Sequence, residues 1–567
     1  MAKRKKRMRK TASKGSSHIK KSVSQKSEIG TLGELFKKAV LEQGGLRVKS
    51  STEKAQTKRG DETKKPQVTK ATSRKVIGIA NQNKVEIHLE QPTAVSQVNR
   101  KAKDLRSSSH TYTQFCKGEA KRGRDLVVGL DFGTSSTKIA IQDAEINTSY
   151  LIDFGDYSEF KNASYLLQTQ LFYRNKEGKF SITSGDILAL KLKQQLIEYP
   201  YDDFMHLDDE TALTAVDVSS AYLGLVLRLA RKCFAEKYGK IYSQESIDWQ
   251  LNIGVPSRSY DDVELVNLYR TIGLAAWDLS VLPGLFSIDD VQRIVADTRD
   301  RLNGKVSASK ESIPTDAVQP VPEIVAGVLG YTKSPMVQTD LMHLIIDVGA
   351  GTVDVCNVML PKDKGYSFLT TEIAPLGGHQ LVFNRLQVYA RELEGHLKKV
   401  SSACDSISSP PSASSLSLDV AEEVLDEKFM LAFCALIGES LSAVKNDRWK
   451  RIIHQDDIPV LFTGGGSKIG NYKAALERLN VGLRSQSIPK LRLMNFNEFP
   501  GLEYSGKSFD PVRVGVTYGL SFSFDDIGDI RPPSQVESLN KDGLSKYSNP
   551  VRKTGTGYTG ASWRFDH

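Results

Sequence analysis

Leu126-Val127-Val128-Gly129-Leu130-Asp131-Phe132-Gly133-Thr134-Ser135-Ser136-Thr137-Lys138 is an apolar run that ends on an aspartate and passes into a hydroxyl-rich glycine turn. A buried strand there delivers Asp131 to its end. Gly133 lets the backbone turn tightly, and Thr134, Ser135 and Ser136 then offer amide and hydroxyl donors to an anion. The device recurs 216 positions later, in Leu344-Ile345-Ile346-Asp347-Val348-Gly349-Ala350-Gly351-Thr352-Val353-Asp354-Val355. Either string alone reads as an ordinary strand and turn; both in one chain, in order, argue for phosphate. Two such hairpins facing each other would grip a polyphosphate from both sides, with Gly349, Gly351 and Thr352 answering the first turn. Asp131 and Asp347 are then the carboxylates that would hold a hydrated magnesium ion.

Working outward, apolar runs alternate with helical segments from Asp125 onward, the pattern of α/β architecture. Strands are expected at Leu126–Leu130, Leu251–Val255, Leu344–Ile346 and Val460–Thr463. The 567 residues are too many for one ordinary domain, and their charge is unevenly spread. Positions 1–124 hold 32 basic and 10 acidic residues, a net +22, which leaves −12 for the remainder. A basic, polar, largely disordered leader is therefore expected over 1–124. Within it Thr31 and Glu34 are spaced as a capping box, and Leu32, Leu35, Phe36, Ala39 and Val40 share one helical face. Residues 31–42 read as a docking helix for a partner or as a transient helix. Val76–Ile79 and Val85–Leu89 read as a hairpin that packs on the body.

A +22 leader attracts nucleic acid, an anionic surface or an acidic protein, and such binding weakens with salt. Residues 1–30 contain no aromatic side chain for base stacking. The Ser-rich stretch 401–417 reads as a surface loop and 524–567 as a C-terminal tail. No apolar run approaches the roughly 20 residues of a membrane span, and the basic N-terminus is followed by Ser and Lys instead of an apolar h-region, so neither spanning nor classical secretion is expected. Five scattered cysteines without a C-x-x-C pair imply a reducing compartment, hence a cytoplasmic protein, and no structural zinc.

The paired strings resemble the phosphate-1 and phosphate-2 motifs of the actin, sugar kinase and heat-shock chaperone ATPase superfamily. Pro459-Val460-Leu461-Phe462-Thr463-Gly464-Gly465-Gly466-Ser467-Lys468-Ile469 resembles its adenosine motif. Pro322-Glu323-Ile324-Val325-Ala326-Gly327 and Asp510-Pro511-Val512-Arg513-Val514-Gly515-Val516-Thr517-Tyr518-Gly519 resemble its two connecting helices. All five stand in the family order. Asp354 completes D-x-G-x-G-T-x-D, Leu376-Gly377-Gly378 opens a segment like the chaperones' L-G-G-x-x-F-D-x-R-L with Asn384 for Asp, and Gly254-Val255-Pro256-Ser257 is similar to their V-P-A strand end. These lean toward the seventy-kilodalton heat-shock chaperone branch.

The resemblance implies a two-lobed actin-like ATPase fold of two ribonuclease-H-like domains, with lobes at 125–330 and 331–523 and a nucleotide cleft between them. It implies ATP or ADP with Mg2+, held by Asp131, Gly133, Thr134, Ser135, Ser136, Gly349, Gly351, Thr352, Gly464, Gly465, Gly466, Ser467 and Lys468. Asp131 and Asp347 are its metal carboxylates, and Asp347, Asp354, Glu323 and Lys138 its catalytic candidates. Glu323 reads equally as a water-positioning group or a helix cap, and Lys138 as a phosphate contact or an exposed strand lysine.

Two departures matter. The chaperones carry a catalytic lysine three residues after a Gly-Asp pair; here Gly185-Asp186 is followed at that offset by Ala189, with Lys191 and Lys193 displaced. Slow ATP hydrolysis, or binding alone, is the expectation. The residues after Ser523 are also too few for the chaperones' peptide-binding sandwich. The implied function is a chaperone-like ATPase switch read by a partner protein docked through the leader or tail. The alternatives are an ATP-sensing scaffold or filament-forming protein and, with less support, a sugar-type kinase, for which no acceptor-activating Asp is found.

Overall fold

A computed structural model of the chain describes residues 112–533, except 117–118, 161, 209–210, 257–261, 308–311, 340, 361–365, 383–421, 445–454, 486–488, 496–497, 529 and 532. The 31–42 helix, the 76–89 hairpin, the 401–417 loop, the tail beyond 533, Ser257 and Asn384 lie outside the described residues.

The architecture is mixed α/β, built on two large sheets of the same plan. In the first, β1 (Arg122–Phe132), β2 (Ser136–Asp143) and β3 (Thr148–Leu151) form an antiparallel meander. The chain crosses through α1 (Leu192–Glu198) and α2 (Ala215–Tyr238) to β4 (Glu245–Val255), parallel to β1. It crosses again through α3 (Val263–Ser280) and α4 (Ile288–Leu302) to β5 (Val318–Pro322), parallel to β4. Helix α5 (Glu323–Thr332) then leads to the second sheet. There β6 (Leu341–Val348), β7 (Val353–Leu360) and β8 (Tyr366–Ala374) repeat the meander. Past α6 (Glu422–Ser442), β9 (Asp457–Thr463) lies parallel to β6; past α7 (Gly470–Ser485), β10 (Lys490–Leu493) lies parallel to β9. All four expected strands fall inside β1, β4, β6 and β9.

Residues 502–531 serve both sheets. β11 (Leu502–Tyr504) returns to the first sheet beside β3, and α8 (Pro511–Leu520) packs on α5 and β1. After α9 (Phe524–Ile527), β12 (Ile530–Arg531) joins β8 of the second sheet.

Local sequence accounts for much of this. From Leu126 to Phe132 every residue of β1 is buried, as a central strand covered on both faces requires. Helices α2 and α4 start on capping boxes, Thr214 with Asp217 and Ser287 with Asp290, which satisfy backbone donors that a helix end otherwise leaves orphaned. Arg228 and Arg231 of α2 are buried. Their guanidiniums donate to the carbonyls of Leu279, Ser280, Leu282 and Gly284 where α3 ends.

Three apolar clusters result. One joins the first sheet to α2 and α3, and one joins the second sheet to α6 and α7. The third lies between the sheets, where Ile324, Val328 and Leu329 of α5 and Val514, Tyr518 and Leu520 of α8 meet Ile345, Val358 and Leu461.

Two sequence boundaries are corrected. The leader was expected to reach residue 124, yet Phe115 packs against the rings of Phe234, Tyr242 and Trp249. Gln114 exchanges two hydrogen bonds of 2.8 Å with the backbone of Ile247, and Trp249 Nε1 donates to Thr113 O. The tail was expected from 524, yet α9 and β12 extend the second sheet. Both segments are short, and only partners far along the chain make them ordered. Among the described residues no helix is long and apolar enough to cross a membrane.

Candidate functional site

The two quoted strings form equivalent hairpins, each placing two side chains opposite one another seven positions apart. Asp131 of β1 pairs across the ladder with Lys138 of β2, and Asp347 of β6 pairs with Asp354 of β7. Their turns line one open cavity together with Lys193, Glu323, Gly464–Gly466, Val512, Arg513 and Val516. The cavity encloses about 110 Å³ and opens to solvent.

The first turn needs its glycine, because a Cβ at Gly133 would lie 2.5 Å from Ser136 O. It is braced from behind by Thr169, which donates to Gly133 O at 2.8 Å and receives Thr137 across a 3.1 Å contact. In the second turn the carbonyls of Gly349, Ala350 and Gly351 accept from the amides of Gly378, His379 and Gly377. Among the described residues the amides of Thr134, Ser135, Ala350 and Gly351 have no acceptor. Two loops with occupied carbonyls and unclaimed amides, on opposite sides of one cavity, form an anion cradle.

Charged groups are concentrated between them. Lys138 Nζ lies 2.6 Å from Asp131 Oδ2, with only 14% of the lysine side chain exposed. It is not an exposed strand lysine. Glu323 opens α5 but makes no capping bond; its Oε1 takes Lys193 Nζ at 2.5 Å. Burial alone would lower the Lys193 ammonium, but Glu323, Tyr269 and Asp131 together outweigh it and hold the group above its ordinary value. Burial pushes the Asp347 carboxyl up to about 7, with repulsion from Glu323 and Asp131 added. Asp354 rises to about 8, through burial first and then Asp347 and Glu323.

At the other end of the cavity Gly464 has φ +84°, and a Cβ there would collide with Asp347 Oδ1 and Val348 O. Val512 O accepts from Gly464 N and Thr463 Oγ1, both at 3.0 Å, and the Arg513 guanidinium lies 3.4 Å from where a Gly465 Cβ would be.

Asp131, Gly133, Thr134, Ser135, Ser136, Lys138, Glu323, Asp347, Gly349, Gly351, Thr352, Asp354 and Gly464–Gly466 thus share one cavity. Two expected residues do not line it. Ser467 Oγ turns back onto Gly464 O at 2.7 Å, and the half-exposed Lys468 pairs with Asp510 at 2.5 Å. Five lining residues are outside the sequence-derived candidates: Lys193, Ala350, Val512, Arg513 and Val516. Lys193 was noted but read as displaced, and Arg513 sits inside a quoted motif that was read only as a connecting helix.

Four carboxylates and three cations line the cavity, and the two aspartates are raised by burial first and by the neighbouring carboxylates second. Among the described residues no cluster of three or more ligating side chains forms a dedicated metal cage. The arrangement fits magnesium, which keeps several waters and is held by one or two carboxylates plus substrate phosphates. No family model matches this chain, and no curated protein matches it.

Proposed function

We propose that the protein binds ATP with magnesium in this cavity, hydrolyses it slowly, and acts as a chaperone-like, nucleotide-driven switch on an actin-like two-lobed fold. The observation that carries the reading is the facing pair of equivalent hairpins, Asp131/Lys138 against Asp347/Asp354, with unclaimed turn amides on both sides. The duplicated sheet plan, with α5 and α8 packed between the sheets, supports the two-lobed fold.

On this reading the amides of Thr134, Ser135, Ala350 and Gly351 hold the phosphates, and Gly464–Gly466 with Arg513 face the nucleoside. Asp131 and Asp347 hold the hydrated magnesium, which when bound supplies neutralising charge at the phosphate oxygens. Lys193 restores the cation that the Gly185-Asp186 spacing lacks, and Lys138 adds a second. Glu323 is the carboxylate available to orient a water and accept its proton, and Asp354, raised to about 8, orients the water as a neutral carboxyl. Loss of the γ-phosphate removes one bridge between the turns, so the sheets relax about α5 and α8 and a partner protein reads the change.

The test is Mg-ATP binding and single-turnover hydrolysis by wild type, Asp347→Asn and Thr134→Ala. Tight binding with slow turnover is expected, lost in Asp347→Asn and weakened in Thr134→Ala, which keeps the amide and removes only the hydroxyl. Binding without turnover makes the protein an ATP-sensing scaffold, and absence of binding removes the proposal.

A further inference from the structure

We propose that Thr517 is a positioning residue that orients the Asp131 carboxylate and ties the nucleoside end of the cavity to its metal end. The inference rests on the nucleotide reading above and deepens it.

Both donors to Asp131 converge on one oxygen. Lys138 Nζ lies 2.6 Å from Oδ2, and Thr517 Oγ1 donates to the same Oδ2 at 3.2 Å. Oδ1 is the oxygen beside the glycine turn, 4.0 Å from where a Gly133 Cβ would lie. Two donors on one oxygen fix the rotation of the carboxylate plane and turn the other oxygen to the turn. Ligand-orienting contacts of this kind set metal affinity from outside the coordination shell.

Packing does not ask for a hydroxyl at this position. Thr517 is fully buried in α8 among Val514, Val516, Tyr518 and Leu520. A buried hydroxyl costs stability unless it is bonded, and among the described residues the one bond this hydroxyl makes is to Asp131.

The same helix reaches the opposite end of the cavity. Val512 O holds Gly464 N and Thr463 Oγ1, and Arg513 lies along Gly465. Arg513 and Thr517 are four residues apart and therefore share one face, about 6 Å apart along the axis. A nucleoside that moves Arg513 moves the donor to Asp131 with it, because one helical turn is rigid at this scale. Metal and nucleoside then strengthen each other through Thr517, and by linkage the effect is reciprocal.

The experiment uses the full chain with Thr517→Val, which keeps the side-chain shape, Thr517→Ser, which keeps the hydroxyl, and Thr517→Ala as a second hydroxyl-free variant. Melting curves verify folding. Mn2+ binding is read by its electron-spin resonance, with and without ADP, and ADP affinity is read calorimetrically in EDTA and in Mn2+. Loss of the hydroxyl is expected to weaken Mn2+ binding about tenfold or more. It should shrink the gain in ADP affinity that Mn2+ confers and leave ADP affinity in EDTA unchanged, and Thr517→Ser should restore both. Wild-type Mn2+ affinity in Thr517→Val or Thr517→Ala, an equal loss of ADP affinity in EDTA, or failure of Thr517→Ser to restore overturns the inference. So does a wild type that binds no Mn2+ in either condition. A wild type that binds Mn2+ but no ADP sinks the nucleotide reading, while the metal arm still decides the role of Thr517.

Discussion

Lys193 reaches the cavity from α1 and finds its partner, Glu323, 130 residues away at the head of α5. Asp131, Lys138, Asp347 and Asp354 stand out in the sequence because each pair is local, seven positions apart on a hairpin. A pair made by two separate crossovers leaves no such spacing. If Lys193 supplies phosphate charge, Lys193→Met lowers single-turnover hydrolysis about 100-fold, with a smaller change in ADP affinity. The substitution also strands the Glu323 carboxylate and costs about 1–3 kcal/mol in urea unfolding. His343 gives a test independent of nucleotide. It is fully buried between Leu341 O and Tyr331 OH with Arg492 nearby, and burial lowers its imidazole to about 4. Its ordinary value is 6.5, so the unfolded chain takes the proton first as pH falls. Stability is present above pH 6.5 and declines toward pH 4. Wild type should lose about 2 kcal/mol between pH 7 and pH 5 that His343→Leu does not lose.

At the scale of elements, α5 and α8 pack so closely that a Cβ on Gly519 would strike the Ala326 carbonyl, whereas one on Gly327 would meet only Val516 Cγ2 at 3.8 Å. Gly519→Ala should therefore destabilise by about 1–3 kcal/mol in urea unfolding. Gly327→Ala should gain up to about 1 kcal/mol from helix propensity. Equal effects would mean that the helix contact is looser than described. Phe115 makes a similar point about short segments. Nothing in its local sequence separates it from the basic stretch before it, yet Phe115→Ala should cost about 2 kcal/mol through lost contacts with Phe234, Tyr242 and Trp249. The first hairpin of each meander was legible because its apolar run and glycine turn are local, whereas the third strands, β3 and β8, were not read. The edge strands β11 and β12 were not either, because residues this few have no periodicity of their own.

For the whole molecule, binding in the cavity should appear as stability, because a ligand of the folded state alone raises the unfolding free energy. Mg-ADP at a hundred times its Kd should add about 2.7 kcal/mol and raise the melting temperature. Asp347→Asn should abolish that gain while melting higher than wild type without ligand at pH 8. The sign follows from the carboxyl, whose folded value is about 7 against an ordinary 3.8, so its cost to the fold grows as pH rises from about 4 to about 7. A variant no more stable than wild type in that state would show that the cavity does not strain this charge. By itself the sequence determined the α/β class, four core strands, both Asp-ended hairpins and the glycine turn at 464–466, because each is written in residues close together along the chain. Tertiary structure alone decided that Lys193 and Arg513 line the same cavity, that Thr517 bonds Asp131 at its wall, that Ser467 and Lys468 turn away from it, and that β11 and β12 join different sheets. Those outcomes depend on which distant segments the crossovers bring within hydrogen-bonding distance, and no local spacing records that.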